Sequence, residues 1–156
     1  MGTTEQFARF VVETESQQFP QEALEAATTS LMDAVGTALT ANSQEIGRIV
    51  TEYTAAMGGT PTCRVIGTGI KTSPPNAAFA NGTLGHADDY DDVGPFGHPA
   101  VVLMPTVLAL GEQLHRSGRE VLEAYVLGYE VGARIGYNIG EDHYERGWHK
   151  TATVGS

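Results

Sequence analysis

Apolar residues recur at intervals of three and four along most of this chain, which is the spacing of one buried face of an α-helix. The longest stripe consists of Leu24, Ala27, Leu31, Ala34, Val35 and Ala38. The same spacing extends from Ile46 to Met57, and a shorter amphipathic helix is predicted over residues 4–13. The sequence therefore predicts an all-α fold, a tightly packed helical bundle that forms one domain over residues 1–156.

One segment interrupts the helical pattern. Residues 62–75, TCRVIGTGIKTSPP, contain a brief β-like run at Cys63–Ile66, which predicts a loop or a short strand. Ser73 and the two prolines after it then open a helix that is rich in Ala and Gly. We expect this helix to reach about Tyr90.

Other signals predict where helices begin and how they pack. Asn42 with Glu45, and Ser117 with Glu120, have the spacing of a capping box. The helix that follows Ser117 carries a glycine at every fourth position, namely Gly128, Gly132, Gly136 and Gly140. Charged neighbours argue against a membrane dimer motif, so the glycines predict a close helix crossing within the bundle.

Composition excludes several classes of protein. With 19 acidic and nine basic residues, the chain lacks the clustered Lys and Arg of a nucleic-acid surface. No apolar run approaches the ~20 residues that span a bilayer, and the N-terminus lacks the features of a secretory signal. We expect a cytoplasmic protein that binds neither nucleic acid nor membrane. The single cysteine, Cys63, excludes an internal disulfide and a multi-cysteine zinc site, and is expected to be buried.

The stretch GHADDYDDVGPFGHP, residues 85–99, concentrates negative charge in a chain that is already acidic. It holds four carboxylates between two histidines: His86, Asp88, Asp89, Asp91, Asp92 and His98. On a helix that reaches Tyr90, His86 and Asp89 share one face. The dipole at a helix C-terminus disfavours carboxylates, so the cluster is either a solvated acidic turn or part of a functional site.

Two hypotheses for this stretch involve a metal ion. Asp88, Asp89 and Asp92 have the spacing D-D-x-x-D, which holds magnesium against a diphosphate in helical prenyl-transferring enzymes. Such enzymes need a second acidic segment, and only the pair Glu141 and Asp142 is available. Alternatively, His86, Asp89, His98 and a later histidine could bind a transition metal, although their spacing matches no familiar motif.

A third hypothesis is general acid–base catalysis by histidines and a carboxylate. It requires a second positioned histidine, and the segment HYERGWHK supplies His143 and His149. A lone histidine is more often an ordinary structural residue, and we assign that role to His115.

Several segments occur together in one order: PPNAAFANGTLGHADDYDD, the pair His98–Pro99, LALGE, SGREVLEAYVLGYEVGARIG and RGWHKTATVG. Together they resemble the MmgE/PrpD family, which includes 2-methylcitrate dehydratase, cis-aconitate decarboxylase and iminodisuccinate epimerase. The resemblance covers essentially the whole chain. It implies the N-terminal helical domain of a longer homodimeric enzyme, truncated before its α+β lid domain, that uses neither a metal nor another cofactor.

The resemblance also implies a reaction and a set of site residues. The reaction is that of a lyase or isomerase on a small di- or tricarboxylate, by metal-independent proton transfer. Asp89, His98 and His149 match the family's catalytic positions. Lys150 is a weaker candidate for substrate contact, and His86 is assigned to substrate binding and to support of the helix end.

Departures such as the run HPAVVLMP and Val93 leave the particular reaction open. Few cations lie near the motifs, so the chain alone is expected to form an incomplete pocket. A magnesium-dependent diphosphate enzyme and a non-catalytic dimerising module remain the alternatives.

Overall fold

The computed structural model describes residues 2–140 and 142–155 and confirms the all-α fold. The α-helices in the described residues are α1 (Thr3–Glu13), α2 (Gln21–Ala41), α3 (Glu45–Met57), α4 (Pro74–Gly85), α5 (Pro99–Gln113), α6 (Gly118–Asn138), α7 (Asp142–Glu145) and α8 (Lys150–Gly155). A single 3-10 turn, Ser16–Gln18, joins the first two helices. Within the described part of the chain, no helix combines the length and apolarity needed to cross a bilayer.

The centre of the bundle is α5, which packs against α2, α4 and α6. One buried cluster joins α2, α5 and α6 and consists of Ala27, Ala34, Ala100, Met104 and Tyr125. A second joins α2, α3 and α4 with Val65, and consists of Ala38, Ala41, Val50, Val65, Ala80 and Leu84. Because about half of the residues in these clusters are alanines, the helix backbones can lie close together.

The interruption before α4 is a small antiparallel hairpin of β1 (Cys63–Arg64) and β2 (Lys71–Thr72). Asn81 of α4 is buried and holds the hairpin. Its Oδ1 accepts from the backbone N–H of Ile66 at 2.8 Å, and its Nδ2 donates to the carbonyl of Arg64 at 3.0 Å. Cys63 is buried, as expected, and its thiol donates to the carbonyl of Ala109 at 3.1 Å.

Two local predictions were wrong at helix ends. The helix α4 ends at Gly85 instead of Tyr90, because the following residues form a turn in which Asp89 has φ +54°. Asp tolerates this left-handed conformation better than most residues, but it cannot continue a right-handed helix. The Asn42 capping box is also absent, since the amide of Asn42 instead donates to the carbonyls of Ala38 and Ile66. The Ser117 capping box is confirmed.

The glycines of α6 lie at two close contacts, one with α5 and one with the loop before it. A Cβ at Gly128 would lie 2.7 Å from Leu103 Cδ2 of α5, which confirms the predicted close helix crossing. Gly132 and Gly136 face the loop before α5, where a Cβ would lie 2.5 Å from Phe96 Cε1 and 2.8 Å from the carbonyl carbon of Pro95, respectively. These two glycines therefore admit the loop that leads directly to His98.

Candidate active site

The four carboxylates of the acidic stretch have different surroundings. Asp88 is exposed and its Oδ2 accepts from Gln44 Nε2 at 2.7 Å. Asp92 Oδ1 accepts from the backbone N–H of Ala100 at 2.9 Å, in the first turn of α5. A helix N-terminus favours negative charge, so Asp92 occupies the start of one helix although it follows the end of another.

Asp92 also belongs to a partly buried polar network. Ser30 Oγ lies 3.5 Å from Asp92 Oδ2 and 2.7 Å from the hydroxyl of Tyr125. Burial raises the pKa of Asp92 above its ordinary value, opposed in part by the hydrogen bond from Ala100. Burial also raises the pKa of Tyr125 to about 12. This network packs α2 against α6 and the start of α5.

Asp91 is the carboxylate that the sequence analysis did not select. Its side chain has 0% exposure and lies between two histidine rings. Oδ1 is 2.9 Å from Nδ1 of His86, and Oδ2 is 3.1 Å from Nδ1 of His98. The contact with His98 lacks the direction of a hydrogen bond, so both of its atoms are buried without a hydrogen-bond partner.

Asp89 lies on the opposite side of the same two rings. Its side chain is 75% exposed, and its Oδ1 is 3.5 Å from Nε2 of His98 and 3.9 Å from Nε2 of His86. The predicted proximity of His86 and Asp89 is therefore present, although it arises from a turn and not from a helix face.

His149 completes the group from the far end of the chain. It immediately precedes α8, and its ring is stacked on that of His98 with centroids 6.0 Å apart and an angle of 11°. The centroid of His86 is 6.4 Å from that of His149 and 4.6 Å from that of His98. Three residues that the resemblance assigned to catalysis, Asp89, His98 and His149, thus lie together with His86.

A hydrogen bond and a glycine hold the two ends of the site in contact. The hydroxyl of Thr151, in α8, accepts from the backbone N–H of His98 at 2.9 Å. Gly97 has φ +94°, and a Cβ there would lie 2.8 Å from the backbone nitrogen of Thr151. Only glycine combines this conformation with such a close approach, so Gly97 and Thr151 bring His149 to His98.

Lys150 and the other basic side chains near the motifs contact different groups. The ammonium group of Lys150 lies 3.4 Å from the carbonyl of Gly136 in the last turn of α6, where the helix dipole favours a cation. His143 Nε2 lies 2.7 Å from the hydroxyl of Thr153. Arg146 pairs with Asp142 at 2.9 Å. Other cations, Arg64, Lys71 and Arg116, line a separate cavity of about 670 Å³.

The cluster contains atoms that could bind a metal ion. One ligand atom each from His86, Asp89, Asp91 and His98 lies within 4.8 Å of the others. Two imidazoles with two carboxylates suit a first-row transition metal better than magnesium. Asp88 and Asp92 lie outside this group, so the carboxylates of the D-D-x-x-D spacing do not converge within residues 2–140 and 142–155.

The helical domain thus brings three histidines and two carboxylates together, and these are residue types that general acid–base catalysis uses. The chain belongs to the MmgE/PrpD family, because the family's N-terminal domain matches residues 5–156. This finding confirms the resemblance and accounts for the all-α architecture.

Several similar proteins are named as cis-aconitate decarboxylases or as proteins like them. Cis-aconitate decarboxylase of Aspergillus terreus is 30% identical over 164 residues, which cover 99% of this chain and 33% of the relative. The cis-aconitate decarboxylase-like protein oryM of Aspergillus oryzae is 31% identical, covering 99% and 34%. Human cis-aconitate decarboxylase is 28% identical, covering 85% and 29%. The chain spans about a third of the length of the two Aspergillus relatives, although 99% of the chain itself is matched.

Proposed function

We propose that this chain supplies the proton-transfer part of a lyase or isomerase that acts on a small di- or tricarboxylate. Asp89, His98 and His149 are the proposed catalytic residues, and cis-aconitate is the first substrate to test because the similar decarboxylases are named for it. The observation that carries the proposal is the convergence of the three imidazole rings, with centroids 4.6 to 6.4 Å apart, beside Asp89.

The chemistry of such substrates requires this kind of site. Loss of CO2 breaks a carbon–carbon bond and leaves an electron pair on carbon, which must then take up a proton. Dehydration and epimerisation instead remove a proton from a carbon beside a carboxylate. In each case a histidine can accept or supply the proton, because its charge changes near neutral pH. His98 and His149 are proposed for this role, with Asp89 orienting His98.

The same substrates carry two or three negative charges, which the two carboxylates at the site would repel. A polycarboxylate site therefore needs cations. Within the described residues, the side chains of Lys150 and Arg146 are engaged with other groups. We therefore propose that the cations that bind the substrate come from other polypeptide, either another part of the whole protein or a second subunit of a homodimer.

The test is turnover by the full reading frame that contains this chain. The purified protein is given cis-aconitate, 2-methylcitrate or iminodisuccinate, with and without a chelator, and products are followed by NMR. We expect conversion of one of these substrates that resists the chelator. His98→Gln and His149→Gln should each lower kcat/KM by about 10²–10⁴-fold, the usual contribution of general acid–base catalysis.

Asp88→Asn is the matched control for Asp89→Asn. Both replacements remove one negative charge from the same turn, but Asp88 contacts Gln44 and not a histidine. Only Asp89→Asn should reduce turnover. Activity that the chelator abolishes and a divalent metal restores would favour the metal hypothesis, for which the four converging ligand atoms are the specific observation. A stable dimer that converts none of the three substrates would favour the dimerising module.

A further inference from the structure

Asp91 is the most deeply buried of the four carboxylates, with an exposed fraction of 5% for the residue and 0% for its side chain. An ionised carboxylate that is withdrawn from water requires hydrogen-bond donors, because its burial is otherwise costly. The nearest donors that the described chain offers are the Nδ1 atoms of His86 and His98, at 2.9 and 3.1 Å.

This geometry limits where the imidazole protons can lie. A neutral imidazole has one nitrogen that donates and one that accepts, whereas an ionised carboxylate only accepts. A neutral ring that faces Asp91 with Nδ1 must therefore carry its proton there and present an unprotonated Nε2 on the other side. We propose that Asp91 is a positioning residue, which holds the proton of both His86 and His98 on Nδ1 and leaves both Nε2 atoms available for proton exchange.

The opposite side of the rings makes a weaker demand for a proton, because the carboxylate of Asp89 is 75% exposed to water and lies farther from both rings than Asp91 does. Both Nε2 atoms face the exposed carboxylate of Asp89, at 3.9 and 3.5 Å. Each ring thus has a buried carboxylate at Nδ1 and an accessible one at Nε2. The buried side fixes the tautomer, as the partner of a catalytic or metal-bound histidine does in other sites. The accessible side is where a substrate proton can be exchanged, and this catalytic consequence rests on the proposed function.

The contact between Asp91 and His98 needs a better alignment to become a hydrogen bond. The two atoms are at hydrogen-bond distance but poorly aligned, and both lack another partner. The backbone of His98 is held by Thr151 and Pro99 is buried in α5, so rotation of the ring is the simplest way to align them. Because an unsatisfied buried polar group is costly, this rotation is favourable.

The first test reads the tautomers directly in the 156-residue chain. Two-dimensional spectra that correlate ring protons with ring nitrogens distinguish a protonated from an unprotonated Nδ1. His86→Gln and His98→Gln identify the two rings by the signals that each removes. We expect a protonated Nδ1 on both rings of the unmodified chain. An unprotonated Nδ1 on either ring overturns the proposal.

The second test uses Asp91→Asn with Asp88→Asn as its matched control. An asparagine offers one oxygen that accepts and one amino group that donates, so it can satisfy a protonated Nδ1 on only one ring. We expect the other ring to lose its Nδ1 proton in Asp91→Asn, and neither ring to change in Asp88→Asn. If both rings of a folded Asp91→Asn chain keep the Nδ1 proton, Asp91 does not set the tautomers.

Activity provides a separate test of the catalytic consequence. In the full reading frame, Asp91→Asn should lower kcat by up to about 10⁴-fold, the loss observed when a catalytic histidine is held in the wrong tautomer, with little change in KM. An unchanged kcat would overturn the catalytic role. If the unmodified protein converts none of the three substrates, the proposed function fails, whereas the tautomer measurement still decides the role of Asp91.

Discussion

Replacing Gly136 with alanine tests whether α6 positions the loop that carries His98. A Cβ at this residue would lie 2.8 Å from both the carbonyl carbon of Pro95 and the Cβ of Phe96. Carbon atoms pack best about 3.5–4.0 Å apart, so the loop would have to move by roughly 0.7–1.2 Å. Because the obstacle is the backbone of Pro95 and the Cβ of the buried Phe96, it cannot be relieved by turning a flexible side chain. Such overpacking typically costs about 1–3 kcal/mol.

Gly36→Ala is the matched control because it isolates the contact from helix propensity. Gly36 lies inside α2, is exposed, and a Cβ there meets no atom within 4 Å. Both replacements gain the ~1 kcal/mol by which alanine exceeds glycine in a helix. The difference between the two variants is therefore the overpacking cost, about 1–3 kcal/mol, or roughly 2–12 °C in Tm for a chain of this size.

The assay is urea unfolding of the two variants and the unmodified chain, followed by circular dichroism. We expect Gly36→Ala to be the most stable of the three and Gly136→Ala to fall below Gly36→Ala by the stated difference. Backbone amide signals of Gly94, Phe96, Gly97 and His98 should shift in Gly136→Ala and stay in place in Gly36→Ala. If the two alanine variants are equally stable and the loop signals do not move, the loop does not pack on α6 as described.

Three further predictions concern stability. The pKa of Asp92 is raised above 3.8 in the folded chain, so ionisation of this carboxyl disfavours folding. Asp92→Asn should therefore gain stability relative to the unmodified chain as the pH rises from 3.8 through the pKa of the folded state. Unfolding at several pH values measures this difference, and a difference that does not change with pH would contradict the reasoning. Ser30→Ala should lower the free energy of unfolding more than Tyr125→Phe does, because the alanine leaves the buried Tyr125 hydroxyl without a partner. An unpaired buried hydroxyl costs about 1–3 kcal/mol, which urea unfolding can measure. Ser117→Ala should cost about 0.5–2 kcal/mol through loss of the α6 cap, and thermal unfolding that detects no loss would argue against that cap.

The helices could be predicted from the sequence because their signals are local. The apolar stripe of α2, the Ser117 capping box and the prolines that open α4 each lie within a few residues of the structure they determine. Asn42 shows the limit of such reasoning. Its spacing from Glu45 suits a cap, but the hairpin brings the Ile66 carbonyl to its amide, and that tertiary hydrogen bond replaces the local one.

The candidate site was predictable only in part. His86, Asp89, His98 and His149 could be named from their motifs, whereas Asp91 could not be separated from its acidic neighbours. What distinguishes Asp91 is its burial between two rings, and burial in an irregular turn follows no sequence period. Thr151 was missed for a similar reason, since its contact with His98 joins residues that are distant in sequence.

The four carboxylates of the acidic stretch have different contacts, and these contacts explain the stretch better than one shared ligand does. Asp92 lies at the start of α5, and Asp91 is buried between two histidines. Asp88 accepts a hydrogen bond from Gln44, the residue that directly precedes α3. Only Asp89 combines high exposure with contact to the imidazoles. Three carboxylates therefore have structural partners that hold them against their mutual repulsion. The remaining one, Asp89, is the exposed carboxylate beside the imidazoles, so under the proposed function a change in substrate charge should be felt first there.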